Sequence, residues 1–452
     1  MSKKTYNFFF IGTFFLTTLY LQAAPENGYV TNVLGNTVSV INTLDFLDVK
    51  TLSVGRNPTF FAISPDGKWV YVINAVDYNL SVIDARSNEI FGDPIDVGSE
   101  PIAIVITPDG TKVYVANQGS GTVSVINVGE DHEAAVIDVG SGPVWIAITP
   151  DGRKAYVLNQ RSNSVSVIDV VTDVVSPTIS VGSKPGIIAI TPDGRKAYVS
   201  NSVSNSVSVI DVVTDAVSLS ISVGIGPGVI AITPDGSKAY VVNQGSNSVS
   251  VIDVVTDVVS PPISVGIGPG AIAITPDGSK AYVVNNGNNT VSVIDVGSDR
   301  VLDTIVVGDR PGFVAITPNG KEAYITNFSS NTLSVIDTSS FAVREISVGL
   351  GPIYIAFPPG LKSEFWFGGI RKKNDFLVVS EYYNSLAWKD SQSEGDMGYY
   401  LKRNGVGIAT LDRGTTSYED HNRTSLEVDT YILYVIDSSG NLTQPLTTTV
   451  RG

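Results

Sequence analysis

The chain has 452 residues, 43 glycines, no cysteine and a net charge of −15, with 16% charged and 43% apolar residues. The missing cysteine excludes disulfides, thiolate metal sites, Cys nucleophiles, c-type haem attachment and a lipid-anchoring cysteine. The acidic balance disfavours phosphate backbones, so nucleic acid is not an expected partner, and abundant Gly beside many apolar residues suits short half-buried strands rather than disorder.

At the N-terminus, Lys3 and Lys4 precede an uncharged, mostly apolar run from Phe8 to Leu21, followed by the small residues Ala23 and Ala24. This reads as a secretory signal peptide over residues 1–24, with cleavage after Ala23 or Ala24. The apolar run falls short of the ~20 residues a spanning helix needs, and no later stretch looks transmembrane. The expected location is outside the cytoplasm: periplasm, cell surface or extracellular space.

From Gly28 a repeat takes over. A Tyr-Val-x-Asn element recurs at Tyr29, Tyr71, Tyr114, Tyr156, Tyr198, Tyr240, Tyr282 and Tyr324, spaced by 42 or 43 residues. Each copy continues with a Ser-Val-Ile-Asp/Asn run such as Ser166–Asp169, then a short run ending in Val-Gly such as Ile179–Gly182. It closes on Pro-x-x-Ile-Ala-Ile-Thr-Pro-Asp-Gly, as in Pro185–Gly194. All four runs are β-branched or alternating and are bounded by turn residues, which predicts strands. In Pro-Asp-Gly, Pro presets φ, Asp bonds back to the chain and Gly takes a positive φ. Four antiparallel strands repeating every ~40–45 residues predict a β-propeller.

The array enters at Tyr29 on a second strand and leaves at Pro352–Phe357 on an inner one. Eight of each strand type result. The predicted fold is therefore all-β: an eight-bladed propeller of four-stranded blades over residues 28–360, closed by a composite blade that joins both chain ends. The motif resembles the YVTN family of β-propellers, found in surface-layer and periplasmic proteins, over about Gly28 to Gly360.

After Gly360 the period stops. Residues 361–373, with Arg371, Lys372 and Lys373, read as a linker. From Asn374 to the C-terminus at 452 the pattern resembles a fibronectin type III domain, a small β-sandwich. Ser385 to Trp388 looks like the strand carrying its core Trp, and Tyr431 takes the tyrosine-corner place.

Candidate chemistry is sparse. His132 and His421 are the two histidines, each beside an acid and in different domains. The inner strands carry no acid, base or cation, whereas lactonase-type propellers need these around the channel mouth and haem-d1 propellers need a His ligand and basic residues. No catalytic residue, metal site or cofactor is therefore expected. The turn carboxylates Asp66, Asp109, Asp151, Asp193, Asp235 and Asp277 suit Ca²⁺ in principle, but a turn Asp bonding its own backbone accounts for each. Two residues past the strand-opening Pro the series runs Phe60, Ala103, Trp145, Ile187, Val229, Ala271, Phe313, Tyr354. Phe60, Trp145, Phe313 and Tyr354 make a candidate stacking site at the channel mouth, with blade packing as the plainer reading.

The expected function is an exported binding or adhesion protein, its ring a multivalent scaffold for a protein or glycan partner. The alternatives are a lactonase- or oxidoreductase-like propeller enzyme with its site on loops, and a structural surface-layer component. Oligomeric state stays open.

Overall fold

The structure, a computed structural model, describes residues 27–43, 49–130 and 132–358, together with six strand segments between 384 and 451. The chain divides into two compact units, Met1–Gly360 and Leu361–Gly452.

Within the first unit, the described residues form eight antiparallel sheets. Blade four is representative. Its inner strand is Pro143–Ile148, its second Lys154–Asn159, its third Ser164–Asp169 and its outer Ile179–Ser180. The inner strands of successive blades adjoin one another around the ring. That of blade eight, Pro311–Ile316, meets Pro352–Ala356, which in turn meets Pro58–Ile63 of blade two. Pro352–Ala356 belongs to blade one, where it pairs with Asn27–Asn32 and places Val30 opposite Ile355. The composite closure predicted from the strand count is thus present.

Register explains why the Tyr-Val-x-Asn strand is buried on both faces. Alternate side chains point to opposite sides of a sheet, and each blade is covered on both sides by its neighbours. Tyr156 and Leu158 pack forward with Ile188, Ala197 and Val199 of blade five. Ala155 and Val157 pack backward with Tyr114 and Ala116 of blade three. The apolar core therefore lies between blades rather than around one centre, and all eight repeat tyrosines are fully buried.

The outer strands depart from expectation. A short strand ending in Val-Gly is expected in every copy, yet blades four and six keep only two residues of it, Ile179–Ser180 and Ile263–Ser264. Pro177, Pro261 and Pro262 stand just before them, and proline removes a ladder donor. Blades five and seven lack these prolines and hold seven-residue outer strands, Ala216–Ser222 and Arg300–Val306. One short 3₁₀ turn, Gln244–Ser246, was also not foreseen.

In the second unit the described strands form two antiparallel sheets. One pairs Asn384–Ala387 with Ser417–Asp420. The other orders Val406–Asp412, Gly398–Arg403, Val428–Ile436 and Leu446–Arg451. Tyr431 falls on the longest of these strands. The signal peptide, the linker, Trp388 and His421 lie outside the described residues.

Candidate functional site

The four aromatic residues singled out from the sequence converge. Ring centroids of Phe313 and Tyr354 are 4.5 Å apart, those of Tyr354 and Phe60 5.0 Å, and those of Phe60 and Trp145 5.9 Å. The rings come from blades eight, one, two and four. Trp145 reaches Phe60 across blade three because that blade carries Ala103 at the same position. A bulge after the strand-opening proline sets how these side chains project. The register shifts between Pro58 and Phe61, and again between Pro143 and Trp145.

These rings bound a cavity of about 140 Å³ lined by Phe60, Phe61, Ala103, Ile104, Val105, Trp145, Ile146 and Tyr354. Phe313 packs on the far side of Tyr354 and does not line it. Phe61, which sequence reasoning passed over, both lines the cavity and meets Tyr354 at 5.0 Å. Its adjacency to Phe60 was the available signal. Packing and pocket are therefore the same feature: edge-on contacts of the kind aromatic quadrupoles favour hold the wall of a cavity open.

The wall has one hydroxyl among its side chains, that of Tyr354. Burial among neighbouring rings pushes its pKa up to about 12, so it stays neutral and able to donate at ordinary pH. Arg56 and Asp77 pair on the loops of blade two, through the Arg56 backbone N–H at 2.6 Å and its side chain at 2.5 Å. Those two contacts hold the Asp77 carboxyl below its usual range.

The other sequence candidates have defined surroundings. His132 Nε2 lies 3.8 Å from Glu130 on an exposed loop. Each Pro-Asp-Gly carboxylate accepts from the preceding Thr or Ser hydroxyl and from a backbone N–H, as Asp193 does from Thr191 at 2.6 Å and Arg195 at 3.0 Å. The Thr191 bond, ahead of the others, keeps Asp193 below the usual carboxylate range. No cluster of three or more His, Cys, Asp or Glu suited to a metal occurs among the described residues.

Sequence reasoning missed an inter-blade clamp. Asp173 of blade four accepts from Lys112 and Tyr114 of blade three, both at 2.7 Å. The same arrangement joins Lys154 and Tyr156 to Asp215, Lys196 and Tyr198 to Asp257, and Lys238 and Tyr240 to Asp299. The recurrence of Asp four residues beyond the third-strand Asp was legible. That it reaches across to another blade was not.

Residues 36–138 and 132–258 match the family described as lactonase, 7-bladed β-propeller. No curated protein sequence matches the chain. Among solved structures it resembles Kuenenia stuttgartiensis hydrazine synthase, at 25% identity and a TM-score of 0.53, covering 62% of this chain and 96% of that one. It also resembles the dihydro-heme d1 dehydrogenase NirN in complex with DHE, at 16% identity and a TM-score of 0.65, covering 74% of this chain and 76% of that one. A functionally unknown protein from Desulfotomaculum acetoxidans matches at 19% identity and a TM-score of 0.51, covering 74% and 98%. With a lactonase-type propeller match and eight closed blades in its own fold, this chain is a β-propeller protein.

Proposed function

We propose that the ring is a small-molecule propeller whose ligand, an apolar or aromatic molecule, enters the pocket among Phe60, Ala103, Trp145 and Tyr354. The observation that carries this reading is the pocket. Its volume of about 140 Å³ is close to that of apolar cavities known to take up benzene, roughly 150 Å³. Apolar and aromatic side chains with one orienting hydroxyl among them are the usual lining of a small-ligand site.

An enzyme is the second reading, favoured by the match to the lactonase family and by the likeness to hydrazine synthase. On that reading the pocket holds the apolar part of a lactone-class substrate. The acid, base and cation then come from surrounding loops, of which the Arg56–Asp77 pair is one source. The multivalent adhesion read from the repeated blades gains no support from these comparisons and stands below both. Export, and action outside the cytoplasm, remain part of the proposal on the strength of the N-terminal sequence.

Titration of the full chain with aromatic and aliphatic lactones, followed by tryptophan fluorescence with Trp145→Phe as the control for the other three tryptophans, and by acid release, tests both readings. Saturable quenching that is lost in Ala103→Leu, which fills the cavity, is the expected result. Acid release that is also lost there makes the site catalytic. Fluorescence unchanged by every ligand, or quenching unaffected by Ala103→Leu, overturns the small-molecule site.

A further inference from the structure

The Lys–Asp–Tyr clamp has a gap. Lys280 and Tyr282 of blade seven occupy the positions of Lys238 and Tyr240. The residue that should answer them from blade eight, 42 beyond Asp299, is Phe341. The backbone there is unchanged. Phe341 has φ +61°, against +57°, +52°, +56° and +54° at Asp173, Asp215, Asp257 and Asp299. Its N–H closes the same hairpin on the Asp337 carbonyl at 2.9 Å. Only the side chain differs, and a phenyl ring has no acceptor.

Two donors are left over. The Tyr282 hydroxyl is buried without a hydrogen-bond partner, although the Tyr282 ring is as fully buried as its equivalents. Lys280 forms no ion pair among the described residues. Asp277 and Asp295 of its own blade feel its charge. Asp295 feels Lys238 as well, so that influence accompanies a complete clamp and does not replace one. A buried donor left unpaired costs about 1–3 kcal/mol; the hydroxyl itself is covered, while Lys280 and Phe341 beside it are both only half-buried. The Phe341 ring packs on the apolar cluster that contains Tyr282.

We propose that the junction between blades seven and eight binds a carboxylate from outside the ring, held by Lys280 Nζ and the Tyr282 hydroxyl and flanked by the Phe341 ring. The four complete junctions show how these two donors hold such a group: Lys at 2.7–2.8 Å on one oxygen and Tyr at 2.5–2.8 Å on the other. Charge-assisted bonds of this kind are the strong ones. The apolar flank favours a monocarboxylate with an aromatic or alkyl body, either free or as a protein C-terminus ending in such a residue.

Calorimetric titration of the full chain with benzoate, with its neutral counterpart benzamide, and with a blocked peptide ending in a free Phe carboxylate tests the site. Binding of a carboxylate but not of benzamide is expected. Lys280→Met, at a half-buried position, should weaken it about tenfold or more, and Phe341→Asp should abolish it while raising the thermal midpoint, because the carboxylate is then internal. Heat from the peptide alone supports the site and makes its source a protein terminus; heat from both supports it for any accessible carboxylate. Equal binding of benzamide, binding that survives Lys280→Met and Phe341→Asp, binding lost only when the channel pocket is filled by Ala103→Leu, or no heat from any carboxylate overturns it.

Discussion

Each Asn that ends a second strand works as a rivet, and its surroundings show why the repeat cannot drift. Asn117 donates through Nδ2 to Thr122 at 3.2 Å and to Ser124 at 2.8 Å, tying the second strand to the third. The loop arriving from blade two lies against the same group: the Gly98 N–H donates to Ser124 Oγ at 3.2 Å. A Cβ on Gly98 would stand 2.6 Å from the Asn117 carboxamide and from Ser120 Oγ. Side chain and glycine are thus one contact, and the Val-Gly and Tyr-Val-x-Asn signatures are halves of it. Gly98→Ala is expected to cost about 1–3 kcal/mol, as over-packing does in a filled interior. Gly270→Ala, where a Cβ meets nothing within 4 Å, should stay within about 0.5 kcal/mol of the parent. Denaturant midpoints of the two variants check this; equal losses would mean that the close approach is not what selects glycine.

At the scale of the strand, the composite blade turns two loose chain ends into one element. Ile355 is fully buried against Val30 and Tyr324, and Phe357 meets the Tyr324 ring at 4.9 Å. Room for Phe357 comes from Gly28, where a Cβ would lie 2.7 Å from its ring. Blade four has Ala155 in the same place, facing the smaller Ile148. A chain ending at Leu350 leaves the strand Asn27–Asn32 as an open edge and uncovers this apolar seam. Burying one such side chain contributes roughly 1.5–3 kcal/mol, so at least ~3 kcal/mol should be lost relative to a chain ending at Gly360, with a tendency to associate through the bare edge. Matching urea midpoints for the two lengths would refute a closing role. The closure was legible because it needed only a count of strand types. Blade number and the convergence of Phe60, Phe313 and Tyr354 were legible for the same reason: fixed period puts equivalent positions at one level of a ring. The truncated outer strands escaped because proline acts there against a regular pattern, and the clamp escaped because its partners lie about 60 residues apart on facing blades. Phe61 escaped because alternation along a regular strand sends adjacent side chains to opposite faces, and the bulge beside which both rings line the cavity is not written in the sequence.

Over the whole ring, eight buried tyrosines make stability answer to alkali in a way that no single blade would. Desolvation raises the pKa of each above the ordinary 10.0, and in four of them the bond to the neighbouring Asp raises it further. The folded ring therefore holds its phenol protons while an unfolded chain would release them near pH 10. Stability from this source is complete below pH 10 and falls as pH rises beyond it, since the unfolded state then binds fewer protons. A tyrosine that stays protonated only in the folded state contributes at most about 1.4 kcal/mol per pH unit above its unfolded pKa, and all eight act in the same direction, so their combined loss exceeds that of any one blade. Unfolding should therefore be abrupt between about pH 10 and 12, with phenolate absorbance and loss of β-sheet circular dichroism rising together. The Tyr282→Phe variant, which removes the orphaned hydroxyl, should move the transition slightly upward. Tyrosines other than these eight, the exposed Tyr78 among them, add phenolate signal of their own. Phenolate absorbance reaching the full complement of 19 tyrosines near pH 10 with the sheet signal intact would mean that the repeat rings are open to solvent, and the picture of a core held between blades would have to be given up.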